Sequence, residues 1–228
     1  MYFEIKRHGI QPPTTCRFLL KTRIGQFYVR TNMDTIVKQI ASIISEEIDS
    51  NYIEDLEYLR SYDEREDRHI FIAIKDGDSH EILNLSYTKY SLDSTVEVLG
   101  VLLCGSYTYK EYAEYMYEDI ETLVSQTDSE FGEDVFPIYL LQCLAVKSSY
   151  QSQGIGTALV GSGTSSNVSH YPHFAGGWKR EGEQRNINIM ESYGTYLGSI
   201  EDYYPDTWDC SYCDGDCNCD SVFYMFNP

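Results

Sequence analysis

The spacing of apolar and polar positions divides the chain into short strands and a few helices. A helix is predicted over 35–48, because Ile36, Ile40, Ile43 and Ile44 fall on one stripe at helical spacing. Shorter apolar or alternating runs predict strands. The predicted strands are 17–21, 26–30, 70–74, 82–85, 96–103, 138–146, 174–178, 196–200 and 222–226, with further helices at 110–124 and 187–193. The charged run 63–68 is expected to be a solvated connection.

The length and composition favour one sizeable domain. The chain has 228 residues, 42% of them apolar, and no run approaches the roughly 20 apolar residues that cross a bilayer. The first eight residues lack the apolar block of a signal peptide. We therefore expect a single domain over 1–228, located in the cytoplasm, as a monomer or homodimer.

The charge balance is strongly acidic, with 36 acidic against 17 basic residues and a net charge of −19. Such a field repels nucleic acid and anionic membranes, so neither is expected as a partner. The small basic group of Lys179, Arg180 and Arg185 is a weak exception. A dispersed acid excess is typical of halophilic surfaces, where salt screens the repulsion. An ordinary acidic cytosolic protein is the alternative.

Four cysteines lie close together near the C-terminus, within a predicted Cys-rich segment over 208–220. Cys210, Cys213, Cys217 and Cys219 begin with a C-x2-C pair, which favours a structural zinc ion in a cytosolic chain. A disulfide or redox pair and free thiols remain open. Four thiolates leave zinc no open position, so the segment is not expected to be catalytic. Cys104 and Cys143 lie in apolar runs and are expected to be buried.

The most informative segment joins the apolar strand 138–146 to a glycine turn and a helix. Gly154 and Gly156 lie one residue apart before Thr157-Ala158-Leu159. Free backbone N–H groups at such a helix start bind anions, above all phosphate. A nucleotide-binding P-loop would need Lys-Ser/Thr after the last glycine, and a dinucleotide fold a third glycine; both are missing. A plain helix-capping turn is the alternative.

The segment from Leu144 to Leu159 resembles the acetyl-CoA motif of the GNAT superfamily of N-acetyltransferases, an apolar strand followed by Q/R-x-x-G-x-G/A. The order of elements is similar to the family more loosely, and the C-terminal part is similar to acidic GNAT proteins of haloarchaea. The resemblance implies an α+β fold, an α/β three-layer sandwich with a mixed, mostly antiparallel sheet flanked by helices. Its motif-bearing core would be 135–205, with the Cys-rich loop appended.

The resemblance also implies a cofactor site. The strand ending near Val146 would splay from its neighbour at a bulge, so that the backbone of Leu144 and Val146 pairs with the pantetheine arm of acetyl-CoA. The amides after it would bind the diphosphate, and glycines would let phosphate approach the backbone. The cofactor-binding residues expected from it are Leu144, Ala145, Val146, Gln151, Ser152, Gln153, Gly154, Ile155, Gly156, Thr157 and Asn186.

The chain departs from the family at positions that matter for catalysis. Gln142 stands where many members carry a catalytic glutamate, and Met190 where a tyrosine acid often lies. The helix after the turn is expected to be interrupted at 161–163. Tyr193 and His173 are the remaining proton-transfer candidates, although a packed aromatic and a structural histidine are the alternatives. Two functions stay open: N-acetyl transfer from acetyl-CoA to a primary amine, or a CoA-binding or regulatory module without turnover.

Overall fold

The computed structural model describes residues 33–48, 56–76, 79–85, 96–116, 135–165, 168–179, 185–201, 203 and 219–226. The predicted strands at 17–21 and 26–30 lie outside these ranges. The helices are α1 Met33–Glu47, α2 Leu56–Glu64, α3 Tyr109–Met116, α4 Ile155–Gly163 and α5 Arg185–Tyr193. The strands are β1 Arg68–Asp76, β2 Ser79–Asn84, β3 Val98–Tyr107, β4 Ile138–Val146, β5 His173–Lys179, β6 Thr195–Ile200 and β7 Asp220–Phe226. Within those ranges, no helix combines the length and apolar character that crossing a bilayer requires.

The strands form one seven-stranded sheet in the order β2-β1-β3-β4-β5-β7-β6. Five neighbouring pairs are antiparallel, and only β4 and β5 run parallel. A parallel pair needs a crossover connection, and here α4 lies in that connection. The predicted mixed, mostly antiparallel sheet is confirmed.

Helices cover both faces of the sheet, as expected for three layers. On one face, the predicted isoleucine stripe of α1 is buried against residues such as Val101 and Cys143. On the other face, Ile155 and Leu159 of α4 pack against Leu102, together with residues of α5. Strands covered on both faces are rich in apolar residues, and β4, apolar at every position except Gln142, was predicted with its observed bounds. Cys104 and Cys143 are buried, as predicted.

The charged run at 63–68 is not simply a solvated connection. α2 extends to Glu64, and Arg68 is the first residue of β1, only 7% exposed. Its guanidinium carbon lies 3.6 Å from the centroid of the Tyr107 ring. Gly105 makes this possible, because a Cβ there would lie 2.3 Å from Cδ of Arg68. The arginine is therefore a buried, ring-stacked residue, stabilised by cation–π attraction.

The predicted interruption of the helix after the glycine turn is wrong. α4 continues through Gly161 to Gly163, and Thr164 N–H still donates to the Val160 carbonyl at 2.8 Å. Gly163 is buried against β3, where a Cβ would come within 2.6 Å of Leu102 Cδ2. Glycine is weakly helix-forming, but close packing against the sheet requires it here.

Candidate functional site

A cleft opens between β4 and β5 because the two parallel strands pair only at their start. Tyr139 lies opposite His173 and Leu140 opposite Phe174, whereas both strands continue for several more residues. Beyond Leu140, the edge of β4 that faces β5 therefore has no strand partner among the described residues. The splay implied by the resemblance is present.

The hydrogen-bond pattern shows which backbone groups face this cleft. Lys147 N–H donates to the Leu99 carbonyl at 2.9 Å, so Lys147 and Leu99 form a bonded pair of the β3–β4 ladder. Bonded pairs alternate along antiparallel strands, so Leu144 and Val146 direct their N–H and C=O groups away from β3. The Val146 carbonyl accepts a 3.0 Å hydrogen bond from Gln151 Nε2. The Leu144 groups and the Val146 N–H are thus the backbone atoms at the open edge.

An exposed turn after β4 leads into the start of α4, and residues 152–157 form a row of backbone amides, called the amide row below. Ser152, Gln153 and Gly154 are exposed, and Ser152 and Gly154 have left-handed backbone conformations, with φ of 60° and 81°. The first helical hydrogen bond of α4 runs from Ala158 N–H to the Gly154 carbonyl, so the N–H groups of 155–157 have no partner within the helix. Left-handed turn residues followed by a helix N-terminus form a concave nest of donors suited to an anion.

The two glycines of the turn have different roles. A Cβ at Gly154 would meet no atom within 4 Å, so this glycine is required by its positive φ and not by crowding. A Cβ at Gly156 would lie 3.0 Å from Ile189 Cδ1. The expectation that Gly156 leaves room for phosphate is therefore not supported, because the missing side chain makes room for α5.

A bulge in β4 lies beside the cleft and is centred on Gln142. Leu103 lies opposite Cys143 and Cys104 opposite Leu141, which leaves Gln142 as the extra residue. Gln142 Oε1 accepts hydrogen bonds from the hydroxyls of Tyr62 and, at 2.8 Å, Tyr107, while Gln142 Nε2 donates to the hydroxyl of Tyr58. Burial raises the pKa of Tyr107 to about 12. The Tyr107 hydroxyl is therefore protonated at neutral pH and donates to Gln142 Oε1, whereas the Tyr58 hydroxyl accepts from Gln142 Nε2.

Tyr58 forms the outer end of this Gln142 network. Its side chain is partly exposed, and its hydroxyl lies 3.3 Å from that of Tyr62. Sequence reasoning missed both tyrosines because α2 was not predicted. The only local signal was the i, i+4 spacing of two tyrosines in a charged segment.

The structure places Tyr193 at the end of α5, against α4. Its hydroxyl lies 3.0 Å from where a Cβ on Gly161 would be, and the side chain is 42% exposed. Partial burial raises its pKa. The residue is therefore protonated at neutral pH, as a general acid must be.

His173 lies at the closed end of the splay, fully buried against the Tyr139 ring with centroids 4.9 Å apart. Neither ring nitrogen forms a hydrogen bond of normal geometry with a described residue. Burial lowers the pKa of His173, although the nearby Ser169 backbone partly opposes the shift. A neutral, enclosed histidine away from the opening does not support the predicted role in proton transfer.

Asn186, in the first turn of α5, is tied to the end of β5. Its Nδ2 donates to the Trp178 carbonyl at 3.0 Å, and its Oδ1 accepts from Ile187 N–H. The predicted contact with the CoA arm would have to use the second Nδ2 hydrogen.

The predicted zinc ligands fall largely outside the described residues. Cys210, Cys213 and Cys217 lie there, whereas Cys219 is described and is buried just before β7. The part of the chain that the structure describes contains no cluster of three or more potential metal ligands. The zinc site remains a prediction from the sequence.

Comparisons with known proteins support the fold. No family model and no curated protein matches the sequence. Among solved structures, an agmatine N-acetyltransferase mutant in its apo form is 10% identical with a TM-score of 0.52, covering 84% of this chain and 94% of that one. The NatC complex bound to Gag peptide and CoA is 14% identical with a TM-score of 0.49, covering 88% and 92%.

A protein from Desulfovibrio desulfuricans assigned to the GNAT family of acetyltransferases is 11% identical with a TM-score of 0.47, covering 86% and 92%. At these identities the similarity concerns the architecture alone. The sheet of seven strands flanked by helices matches the GNAT α/β fold.

Proposed function

We propose that this chain is an N-acetyltransferase that moves the acetyl group of acetyl-CoA to a primary amine. One observation carries the proposal: the exposed turn 152–154, together with the first amides of α4, follows directly on the open edge of β4. Phosphate and pantetheine belong to one molecule, and the two features would bind its two parts side by side. An agmatine N-acetyltransferase has a similar fold, in agreement with this proposal.

In this proposal the diphosphate of CoA binds the amides of Ser152 to Thr157, where the partial positive charge of the α4 N-terminus favours it. The Gln151 amide takes less part, because it donates to the Ser148 carbonyl at 3.3 Å. The pantetheine arm lies along β4 and pairs with the backbone of Leu144 and with Val146 N–H. Ala145 holds this edge in place, since its side chain is buried on the α1 face.

Acetyl transfer requires a neutral amine to attack the thioester carbonyl. The N–C bond forms, a backbone N–H of the bulge stabilises the oxyanion, and the C–S bond breaks with the thiolate as leaving group. Gln142 cannot accept a proton, so the amine loses its proton to solvent. In the absence of a general base, positioning the amine against the thioester lowers the activation barrier by several kcal/mol. Tyr193 is proposed to return a proton to the thiolate, a role that Tyr193→Phe tests.

A second candidate function is a CoA-binding or regulatory module without turnover. It is favoured by the amide at position 142, where the family often has a carboxylate. Such a module would act through a zinc-stapled C-terminus formed by the four clustered cysteines. Metal analysis of protein purified without chelator should find about one zinc per chain. A metal-free protein with oxidised thiols would contradict the proposed zinc site.

Two measurements separate these functions. Calorimetry with CoA and acetyl-CoA tests binding, and a thiol-release assay then screens polyamines, lysine and peptides with a free N-terminus. N-acetylated forms of the same acceptors are the matched controls. CoA release with a free amine but not with its acetylated form supports transfer. Binding without release with any amine supports the module, and absence of CoA binding refutes both acetyl transfer and a CoA-binding module.

A further inference from the structure

A carboxylate from the first described helix holds the turn that precedes the amide row. Glu47 is the last residue of α1, yet its Oε1 accepts a 2.7 Å hydrogen bond from Ser148 N–H. Its Oε2 accepts a 3.0 Å hydrogen bond from Gln151 Nε2. One side chain thus fixes both ends of the turn 148–151, about a hundred residues away in the sequence.

Gln151 extends this clamp to β4. Its Nε2 carries two hydrogens, and it donates both to Glu47 Oε2 and, at 3.0 Å, to the Val146 carbonyl. The last residue of the cleft-facing strand, the turn and α1 are therefore joined through one amide nitrogen. The amide row begins at the next residue, Ser152, so the direction of its N–H groups depends on how Gln151 is held.

A second carboxylate contacts the same turn less directly. Glu97 accepts hydrogen bonds of 3.2 Å from Lys147 Nζ and from the Tyr150 hydroxyl. Burial raises the pKa of Glu97, but Lys147, Tyr150 and Lys75 outweigh it, so the pKa is lowered. These partners are flexible side-chain groups, whereas Glu47 binds a backbone N–H. Of the two carboxylates, Glu47 therefore acts more directly on the backbone of the turn.

We infer that Glu47 is a positioning residue for the cofactor, acting through Gln151 to aim the amides of 152–157 at the diphosphate of CoA. The inference rests on the proposed function. Glu47 itself need not touch the cofactor. Its loss should weaken the hold on CoA while leaving the chemistry at the thioester unchanged.

The substitution Glu47→Gln tests this with almost no change in size. A glutamine offers one acceptor oxygen in place of two, so its NH2 group must face either Ser148 N–H or Gln151 Nε2, a donor against a donor. We expect KM for acetyl-CoA and Kd for CoA to rise about tenfold with kcat unchanged. Glu46→Gln is the matched control, because Glu46 is exposed and accepts a hydrogen bond from Ser42 Oγ of its own helix. Both constants should stay at wild-type values.

A second variant keeps the inference testable should Glu47→Gln unfold. Gln151→Met keeps the side-chain length but removes the donor, so KM should rise similarly. Since both changes break one shared bond, the double variant should raise KM by less than the product of the two single effects.

Each outcome has a distinct meaning. A wild-type KM in Glu47→Gln overturns the role of Glu47. A fall in kcat at unchanged KM also overturns it, because that result would indicate a general structural effect. If the rise in KM of the double variant equals the product of the two single rises, Glu47 does not act through Gln151. A wild-type protein that binds no CoA overturns the proposed function, and the inference falls with it.

Discussion

Replacing Gly154 with alanine separates backbone conformation from crowding at the centre of the amide row. Gly154 has φ 81° and ψ 1°, and a Cβ there would meet nothing within 4 Å. The substitution therefore introduces no clash. Its whole effect in the folded state comes from holding an alanine in the left-handed region.

The size of the effect follows from two opposing contributions. Holding an alanine in the left-handed conformation destabilises the folded protein by about 1–2 kcal/mol. Alanine also lowers the conformational entropy of the unfolded chain, which offsets about 0.4–1 kcal/mol of this loss. The net loss of unfolding free energy is about 1 kcal/mol, or a fall in Tm of about 2–4 °C for a chain of this length. If the turn relaxes to avoid the strain, CoA must restore it on binding, which weakens Kd about 5–30-fold.

Thermal unfolding and calorimetry with CoA measure both quantities. Ser152→Gly is the matched control, because Ser152 is the other left-handed residue of the turn, with φ of 60°. Glycine relieves strain there but loosens the unfolded chain, so Tm should stay level or rise slightly. An alanine variant at 154 with wild-type Tm and wild-type CoA affinity would refute the reasoning that this left-handed residue shapes the anion site.

Three further predictions follow from the same contacts. Gln142→Glu gives the neighbouring tyrosine hydroxyls a carboxylate to donate to and supplies a base. We expect kcat/KM to rise at least about tenfold, and to fall again at low pH as the carboxylate is protonated. Intact CoA binding without a gain in kcat/KM would show that the amine binds away from residue 142. Burial lowers the pKa of His69 from 6.5 to about 4. Between these pH values the unfolded chain binds a proton that the folded protein does not. The free energy of unfolding therefore decreases as the pH falls, by about 2 kcal/mol from pH 7 to pH 5. His69→Asn should reduce the pH dependence of urea unfolding by that amount, and an unchanged dependence would contradict it. Gly163→Ala should lower the free energy of unfolding by about 1–3 kcal/mol, because the new Cβ would collide with Leu102. Thermal unfolding measures the change, and an unchanged stability would show that Leu102 moves aside at little cost.

The parts of the fold that sequence predicted well are those whose signals are local. β4 was predicted with its observed bounds, because eight of its nine residues are apolar and the run lies between a proline and a polar turn. α1 was predicted from the period of its isoleucines. α2 was missed because four of its nine residues are charged and, among the α2 residues whose burial is described, only Leu59 and Tyr62 are buried. A single turn of apolar spacing is too short to outweigh that polarity.

The errors arose where distant residues decide local structure. Arg68 is buried because Gly105, on the neighbouring strand, leaves room above it. α4 continues through Gly161 and Gly163 because Tyr193 packs against the first and β3 against the second, although glycine costs a helix about 1 kcal/mol per residue. The turn proposed to bind the diphosphate was visible in the sequence, because its glycines and helix start are contiguous. Glu47 and the tyrosines around Gln142 were not, because they reach the site from other elements.

The bulge explains how one strand can serve both partners of the proposed reaction. In a regular strand, successive side chains alternate between faces, so 142 and 143 would point to opposite sides. The extra residue breaks this alternation: Gln142 contacts tyrosines of α2 and β3, and Cys143 packs in the α1-side core as well. Leu144 meanwhile faces α4 and α5. The backbone edge thus remains open for the cofactor, while the face towards α2 carries the polar network that an acceptor amine would approach.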